Sequence, residues 1–406
     1  MSIREIRIED YQYDLPNEKI ALFPLANRDE SNLLVYRNGE FSRSVFNRLP
    51  ELLPDDSLLI WNNTKVIPAR LQFLKSTGAL IEIFLLEPVI PAVYTEMFSC
   101  TTSCTWKVIV GNQKKWKSGA LIREIESATG VIRLSAEFED SADSSTITLK
   151  WTPESFSFAE ILNLFGKVPI PPYLKRDSTE QDKTSYQTVY ADLDGSVAAP
   201  TAGLHFTPGL ISRLKERNIR IDSLTLHVGS GTFIPVKSKT IGDHEMHHEL
   251  VIIEKGLVQD LLKTHRENLT VIGTTSMRSL ESLYWLGVKI HFNIEGDPGR
   301  LSVDQWQPYN TEQFISTRES LMAILNFLDK RGLDQIQFTT SLLIVPGYKF
   351  RLVNRLITNF HQPSSTLLLL VSALIGDKWR ELYAYALEND FRFLSYGDSS
   401  LLEIQS

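Results

Sequence analysis

Residues 195–233 read GSVAAPTAGLHFTPGLISRLKERNIRIDSLTLHVGSGTF, and the architecture can be read outward from them. A loop of small residues with one proline leads to Thr207-Pro208, where a hydroxyl cap followed by proline marks the first turn of a helix. Ile219 to Val228 then has the β-branched, apolar texture of a strand. The strand runs into a second small-residue loop, Gly229-Ser230-Gly231. Loop, helix, strand and loop in such close order are the texture of an α/β chain.

The same texture continues downstream. Leu257 to Asn268 has helical periodicity, Leu269 to Gly273 reads as a strand, and Thr275-Ser276 reads as the cap of the next helix. GDPG and QPYN turns and an amphipathic helix near 312–331 interrupt it. Leu342 to Val345 then predicts a strand, Thr366 to Ile375 a buried helix, and 379–389 a surface helix. Upstream, Asp14 to Glu18 is an acidic turn that predicts a helix start, and Leu58 to Trp61 a buried strand stopped by Asn62-Asn63. Residues 67–155 differ. Apolar or alternating runs at 79–87, 105–110, 120–126, 131–135 and 145–151, punctuated by Gly78, Gly111, Gly119 and Gly130, predict a small barrel or sandwich.

The 406 residues are 43% hydrophobic and 22% charged, a globular composition. The net charge of -7 excludes a uniformly basic surface, so a nucleic-acid partner requires a local basic patch. Cys100 and Cys104 are too few for a disulfide framework and read as free thiols. The opening MSIREIRIED lacks the apolar core of a signal peptide, and Leu367 to Ile375, broken by Ser372, is too short to cross a bilayer. The expected location is the cytoplasm.

Six motifs carry chemistry. In 195–207 the loop opens onto a helix start whose unpaired amides favour an anion, with Thr201, Ala202 and Gly203 close to it and His205 as acid or base; a tight turn with a core histidine is the alternative. His227 with Gly229 and Gly231 ends a strand, where ligands of α/β sheets bind. His244, His247 and His248 resemble part of a metal site but lack a further ligand at a recognised spacing. Thr275, Ser276 and Arg278 suit a carboxylate or phosphate. Tyr348, Lys349, Arg351, Arg355, Asn359 and His361 lie between 346 and 363, and Asp398 closes an aromatic loop.

Taken together in order, YDLP (13–16), NNTKVIPARL (62–71), PPYLKR (171–176), YQTVYA (186–191), GSVAAPTAGLHFT (195–207), TLHVGSGTFIPV (225–236), GTTSMRSLES (273–282), PGYKF (346–350), LITNFHQPSSTLLLLVSALIG (356–376) and FRFLSYGD (391–398) resemble the S-adenosylmethionine:tRNA ribosyltransferase-isomerase family. The resemblance implies a discontinuous α/β domain, residues 1–66 and 156–406, with a small β-barrel inserted at 67–155. It implies transfer and rearrangement of the ribosyl group of S-adenosylmethionine onto 7-aminomethyl-7-deazaguanine at the tRNA wobble position, giving epoxyqueuosine, adenine and methionine. No redox cofactor or metal is implied, and a monomer is favoured.

On this reading His205 and His361 are the acid/base candidates, Asp398 orients or shares protons, and His227 is a fourth candidate. Thr201, Ala202, Gly203, Gly229, Gly231, Thr275, Ser276, Arg278, Tyr348, Asn359 and Lys65 are expected at substrate. Lys175, Arg176, Lys349, Arg351 and Arg355 are expected at RNA. The chain departs from the usual pattern at Asn32 and Ser185, where arginine is usual, at Asn354 and Gln362, and in a longer segment near 288–336. An RNA-binding protein that keeps the fold without the chemistry, and a metal hydrolase built on the 244–248 histidines, are the competing readings.

Overall fold

The computed structural model describes residues 3–127, 130–138, 145–229, 236, 238–294 and 300–404. The chain forms two compact units, one of Met1–Thr64, Thr188–Ala191 and Pro200–Ser406, the other of Lys65–Gln187 and Asp192–Ala199. In the larger unit β1 (Asn32–Arg37) and β2 (Glu40–Val45) form an antiparallel hairpin. The next strand, β3 (Leu58–Asn62), is buried along its whole length.

β4 (Thr64–Val66) leads into the inserted unit and is later paired by β12 (Leu193–Ser196). Its main sheet is antiparallel and seven-stranded: β5 (Arg70–Leu74), β6 (Leu80–Ile90), β7 (Ser103–Gly111), β8 (Leu121–Ser127), β9 (Gly130–Phe138), β10 (Thr146–Thr152) and β11 (Gly166–Lys167), in the order β11-β5-β6-β7-β10-β9-β8. The sheet rolls up, and Arg123 of β8 donates to the Gln72 carbonyl of β5 at 3.3 Å and to the Phe165 carbonyl at 2.9 Å. The unit runs past the strand-rich 67–155 because helix α1 (Phe158–Phe165) buries Phe158, Ile161, Leu162 and Phe165 against Trp106 and Trp151. A Ser157–Glu160 capping box starts that helix.

The larger unit resumes with α2 (Pro208–Glu216), β13 (Arg220–His227), β14 (Glu249–Glu254), α3 (Lys255–Lys263), β15 (Leu269–Ile272) and α4 (Thr274–His291). Then follow β16 (Ser302–Val303), α5 (Thr317–Arg331), β17 (Gln335–Thr340), β18 (Arg355–Asn359), α6 (Thr366–Ile375), α7 (Lys378–Glu388) and β19 (Ser399–Glu403). Its ten-stranded sheet has the order β16-β17-β14-β13-β3-β15-β18-β19-β1-β2. The centre, β13-β3-β15-β18, is parallel. Parallel strands bury both faces, which is why β3, β15 and β18 are buried throughout. Phe206, Leu210 and Leu214 pack with Leu59, Trp61, Ile272, Ile357 and Leu401 in the core below the site.

Three local expectations change. The acidic turn at 14–18 yields only a single 3-10 turn, Asn17–Lys19. Residues 342–345 belong to no strand, the strands being β17 and β18 on either side. The cap of α4 is Gly273, at φ 89°, and not a hydroxyl.

Candidate active site

Because β13, β3, β15 and β18 are parallel, their carboxyl ends share one edge. β14 runs antiparallel to β13, and β19 antiparallel to β18, so both begin at that edge. β1 is parallel to β19 and begins there too. One edge therefore collects His227, Gly273 and the head of α4, Asn359 with His361, Asp398 with the start of β19, and Ser31 with Asn32. The carboxyl edge is where ligands bind in sheets of this kind.

His205 ends a 3-10 helix, Thr201–His205, and is 5% exposed. Its Nδ1 meets the Ser31 hydroxyl at 2.8 Å and its Nε2 the Asn359 amide nitrogen at 3.2 Å. The Asn359 oxygen accepts from the Thr201 hydroxyl at 3.1 Å, and its nitrogen faces the Asp398 carbonyl at 3.5 Å. That orientation makes Nε2 the acceptor and leaves the proton on Nδ1, so both nitrogens are engaged. Burial lowers the His205 pKa to about 4, against the opposing pull of Asp398.

Asp398 is fully buried and saturated with donors. It accepts from the Asn32 backbone at 3.1 Å, the Asn32 side chain at 3.0 Å, the Arg392 backbone at 2.8 Å and the Arg392 guanidinium at 3.2 Å. Asn32, which stands where an arginine is usual, thus points inward onto a carboxylate, with Arg43 donating to its oxygen at 2.9 and 3.2 Å.

His361 is different. Nε2 meets the Thr358 hydroxyl at 2.9 Å, the backbone NH donates to the Tyr383 hydroxyl at 3.0 Å, and the carbonyl accepts from Tyr13. Among the described residues its Nδ1 has no hydrogen-bond partner. Burial lowers its pKa to about 3.

Several nominated residues are held by the protein itself. Ala202 packs in the core. A Cβ on Gly203 would lie 1.9 Å from the Tyr190 hydroxyl, so this glycine makes room for a protein ring and not for a ligand. The head of α2 is also occupied: Thr207 caps the Leu210 NH at 3.2 Å and donates to Asp29 at 2.7 Å. Arg278 pairs with Glu249, both buried. The Tyr348 hydroxyl donates to Glu281 at 2.9 Å and accepts from the Trp285 indole at 2.9 Å.

The expected RNA cations fare similarly. Arg176 makes a two-pronged pair with buried Asp182 at 2.7 and 2.8 Å. Arg355 is 5% exposed and bonds Glu403 at 2.8 Å. Arg351 sits over the rings of Tyr284, Trp285 and Phe314 at 5.4, 5.9 and 5.2 Å. Lys349 and Lys175 are exposed. Lys65, in the inserted unit, is 3.7 Å from Asp194. At the head of α4 the buried Ser276 hydroxyl and the Arg278 Nε have no partner among the described residues, and Thr275 lies beside them. His227 is buried at the end of β13, a Cβ on Gly229 would meet nothing within 4 Å among the described residues, and Gly231 lies outside them.

Sequence reasoning missed Ser31, Arg392 and Glu281. Glu281 is a fully buried carboxylate on α4 that accepts from the Tyr348 hydroxyl and the backbone NH groups of Arg351, Leu352 and Val353. A charge inside the apolar run of a helix was the available signal. The lengthened segment supplies α5 and β16, and the Gln305 amide clamps His244 and Met246 at 2.7 and 2.9 Å. A cavity of about 660 Å³ lies there, lined by Met246, His248, Val288, Lys289, Trp306 and Asn310 among others, apart from the His205 cluster. Among the described residues no group of three His, Cys, Asp or Glu side chains is placed to hold a metal ion, and no helix is long and apolar enough to cross a membrane.

Residues 8–402 match the family model described as queuosine biosynthesis protein. S-adenosylmethionine:tRNA ribosyltransferase-isomerases of Brucella ovis and Brucella canis are each 36% identical over 408 residues, covering 98% of this chain and 98% of theirs. A crystal structure of S-adenosylmethionine tRNA ribosyltransferase from Thermotoga maritima matches at 27% identity and a TM-score of 0.45, over 97% of this chain and 99% of that one. By a family match that spans nearly its whole length, this chain belongs to the queuosine biosynthesis protein family of tRNA ribosyltransferase-isomerases.

Proposed function

We propose that the protein transfers the ribosyl group of S-adenosylmethionine to 7-aminomethyl-7-deazaguanine in the wobble position of tRNA and isomerises it to the epoxide, releasing adenine and methionine. The observation that carries this reading is the convergence of His205, Asn359, Asp398 and Thr201, drawn from three separate signature motifs, on the carboxyl edge of the sheet. The positive sulfonium acidifies the neighbouring ribose carbon, so a neutral imidazole suffices as base. His361 suits that role: it is neutral at pH 7 and its Nδ1 is open. Burial lowers the affinity of His361 for that proton, which weakens it as a base and favours return of the proton to departing adenine. His205, with both nitrogens engaged, orients Asn359 and walls the site. Asp398, saturated by four donors, holds the wall in place. The head of α4 offers backbone amides and the Ser276 hydroxyl as further polar contacts for the donor.

The test is release of adenine from S-adenosylmethionine by the purified protein. Adenine and methionine formed only with tRNA carrying the aminomethyl base, and epoxyqueuosine in its digest, support the proposal. Protein that binds both partners and releases no adenine would overturn it.

A further inference from the structure

The loop 391–398 is closed on itself. The Arg392 NH donates to the Asp398 carboxylate at 2.8 Å and the Asp398 NH returns a bond to the Arg392 carbonyl at 2.7 Å. Gly397 permits the closure, since a Cβ there would lie 2.5 Å from the Arg392 carbonyl oxygen. Arg392 is therefore fixed at both backbone groups before any ligand arrives.

Its guanidinium gives one bond to Asp398, at 3.2 Å, and its remaining N–H donors have no partner among the described residues. The side chain is 29% exposed beside a carboxylate that is 0% exposed. Arg43 adds a second guanidinium, on the Asn32 oxygen, and the charges of Arg392 and Arg28 both reach His205. Of the nearby acids, Asp29 is bonded to Thr207 and Glu30 to Asn27. The one buried carboxylate here, Asp398, already has four donors and takes only one bond from the Arg392 guanidinium, so the rest of the fork is left for a ligand.

We infer that Arg392 is a substrate-binding residue that clamps an oxyanion at the rim of the His205–Asp398 cluster. The fixed planar fork matches a two-oxygen acceptor better than a lysine would. Two sources carry that chemistry: a backbone phosphate of the acceptor RNA, or the carboxylate of the methionine portion of the donor. The inference rests on the function proposed above.

Full-length Arg392→Gln and Arg392→Lys proteins are compared with the wild type, after thermal melts establish that each is folded. The lysine variant keeps the charge beside Asp398 and serves if the glutamine variant does not fold. If a phosphate is held, the KM for tRNA rises about tenfold or more in Arg392→Gln, the salt dependence of binding falls by about one charge, and affinity for S-adenosylmethionine is unchanged. If the carboxylate is held, affinity for S-adenosylmethionine falls about tenfold or more. The decarboxylated analogue then binds wild type and variant alike. In either case Arg392→Lys recovers part of the loss. Folded variants with both affinities within about twofold of wild type would overturn the inference. A wild-type protein that releases no adenine counts against the proposed function alone, because directly measured affinities for tRNA and for S-adenosylmethionine still read Arg392.

Discussion

His361 and His205 differ in one respect that separates their roles: one has an open ring nitrogen and the other has none. Replacing His361 with Gln keeps a hydrogen-bonding side chain and removes the base. Turnover is expected to fall by about 10²–10⁴-fold with little change in the affinity for S-adenosylmethionine, as read by adenine release and calorimetry. His205→Ala also cuts turnover, but through loss of the Asn359 and Ser31 contacts, and both variants remain folded. The two imidazoles further give a pH signature. Their pKa values of about 3 and about 4 in the fold lie below the ordinary 6.5. The unfolded chain therefore takes up protons first as the pH falls below about 6.5. Their neutral burial costs nothing above that pH, and stability is lost progressively from there down toward the folded values. Thermal melts from pH 7 to pH 4 should show this decline, flattened in His361→Gln; an unchanged slope in that variant would refute the attribution. The motifs exposed His205, Asn359 and Asp398 because each stands among small or aromatic residues. Ser31 and Arg392 were not legible as partners, since nothing local couples position 31 to 205 or singles out one arginine of a loop.

At the scale of elements, α4 is the one that orders the site. It is buried on almost every face, which is unusual for a helix, and most of the polar residues it hides are committed, the Ser276 hydroxyl being left open among the described residues. Glu281 holds the 351–353 backbone, Ser282 meets Thr340 at 2.7 Å, and Arg278 meets Glu249. Its far half lies against α5 so closely that a Cβ on Gly287 would come 2.1 Å from the Ser320 hydroxyl and 2.4 Å from its carbonyl. Gly287→Val is accordingly expected to separate the two helices and to cost roughly 2 kcal/mol or more of stability in urea denaturation. A stability equal to wild type would mean that the helices can move apart freely. Periodicity made most of the strands and long helices legible, β6 to β10 among them, because alternation reports a half-buried sheet directly. The start of α4 was misread because hydroxyls at 275 and 276 resemble a cap, whereas the cap is a glycine held by its positive φ. Arg176 and Arg355 were misread for a related reason: clustered cations in sequence do not disclose the carboxylates, Asp182 and Glu403, that the fold brings to them.

At the scale of the molecule, the larger unit is interrupted and resumed, and its sheet joins segments from both ends of the chain. β19 lies between β18 and β1, with Leu33 paired to Ser399 and Asn359 paired to Ser399 from the other side. That single five-residue strand is what connects the β1–β2 hairpin, and with it Ser31 and Asn32, to the parallel core. Consider the chain as it is made. From residue 33 to residue 399 is 366 positions, and at common elongation rates that takes roughly 20–70 s. For all of that time the hairpin has no neighbour on its inner edge, while the rolled sheet, whose strands are contiguous in sequence, can already close. The carboxyl edge that gathers the candidate site is thus completed only once β19 is made, and a nascent chain that stalls short of residue 399 carries His205, His361, Asp398 and Arg392 without the means to assemble them.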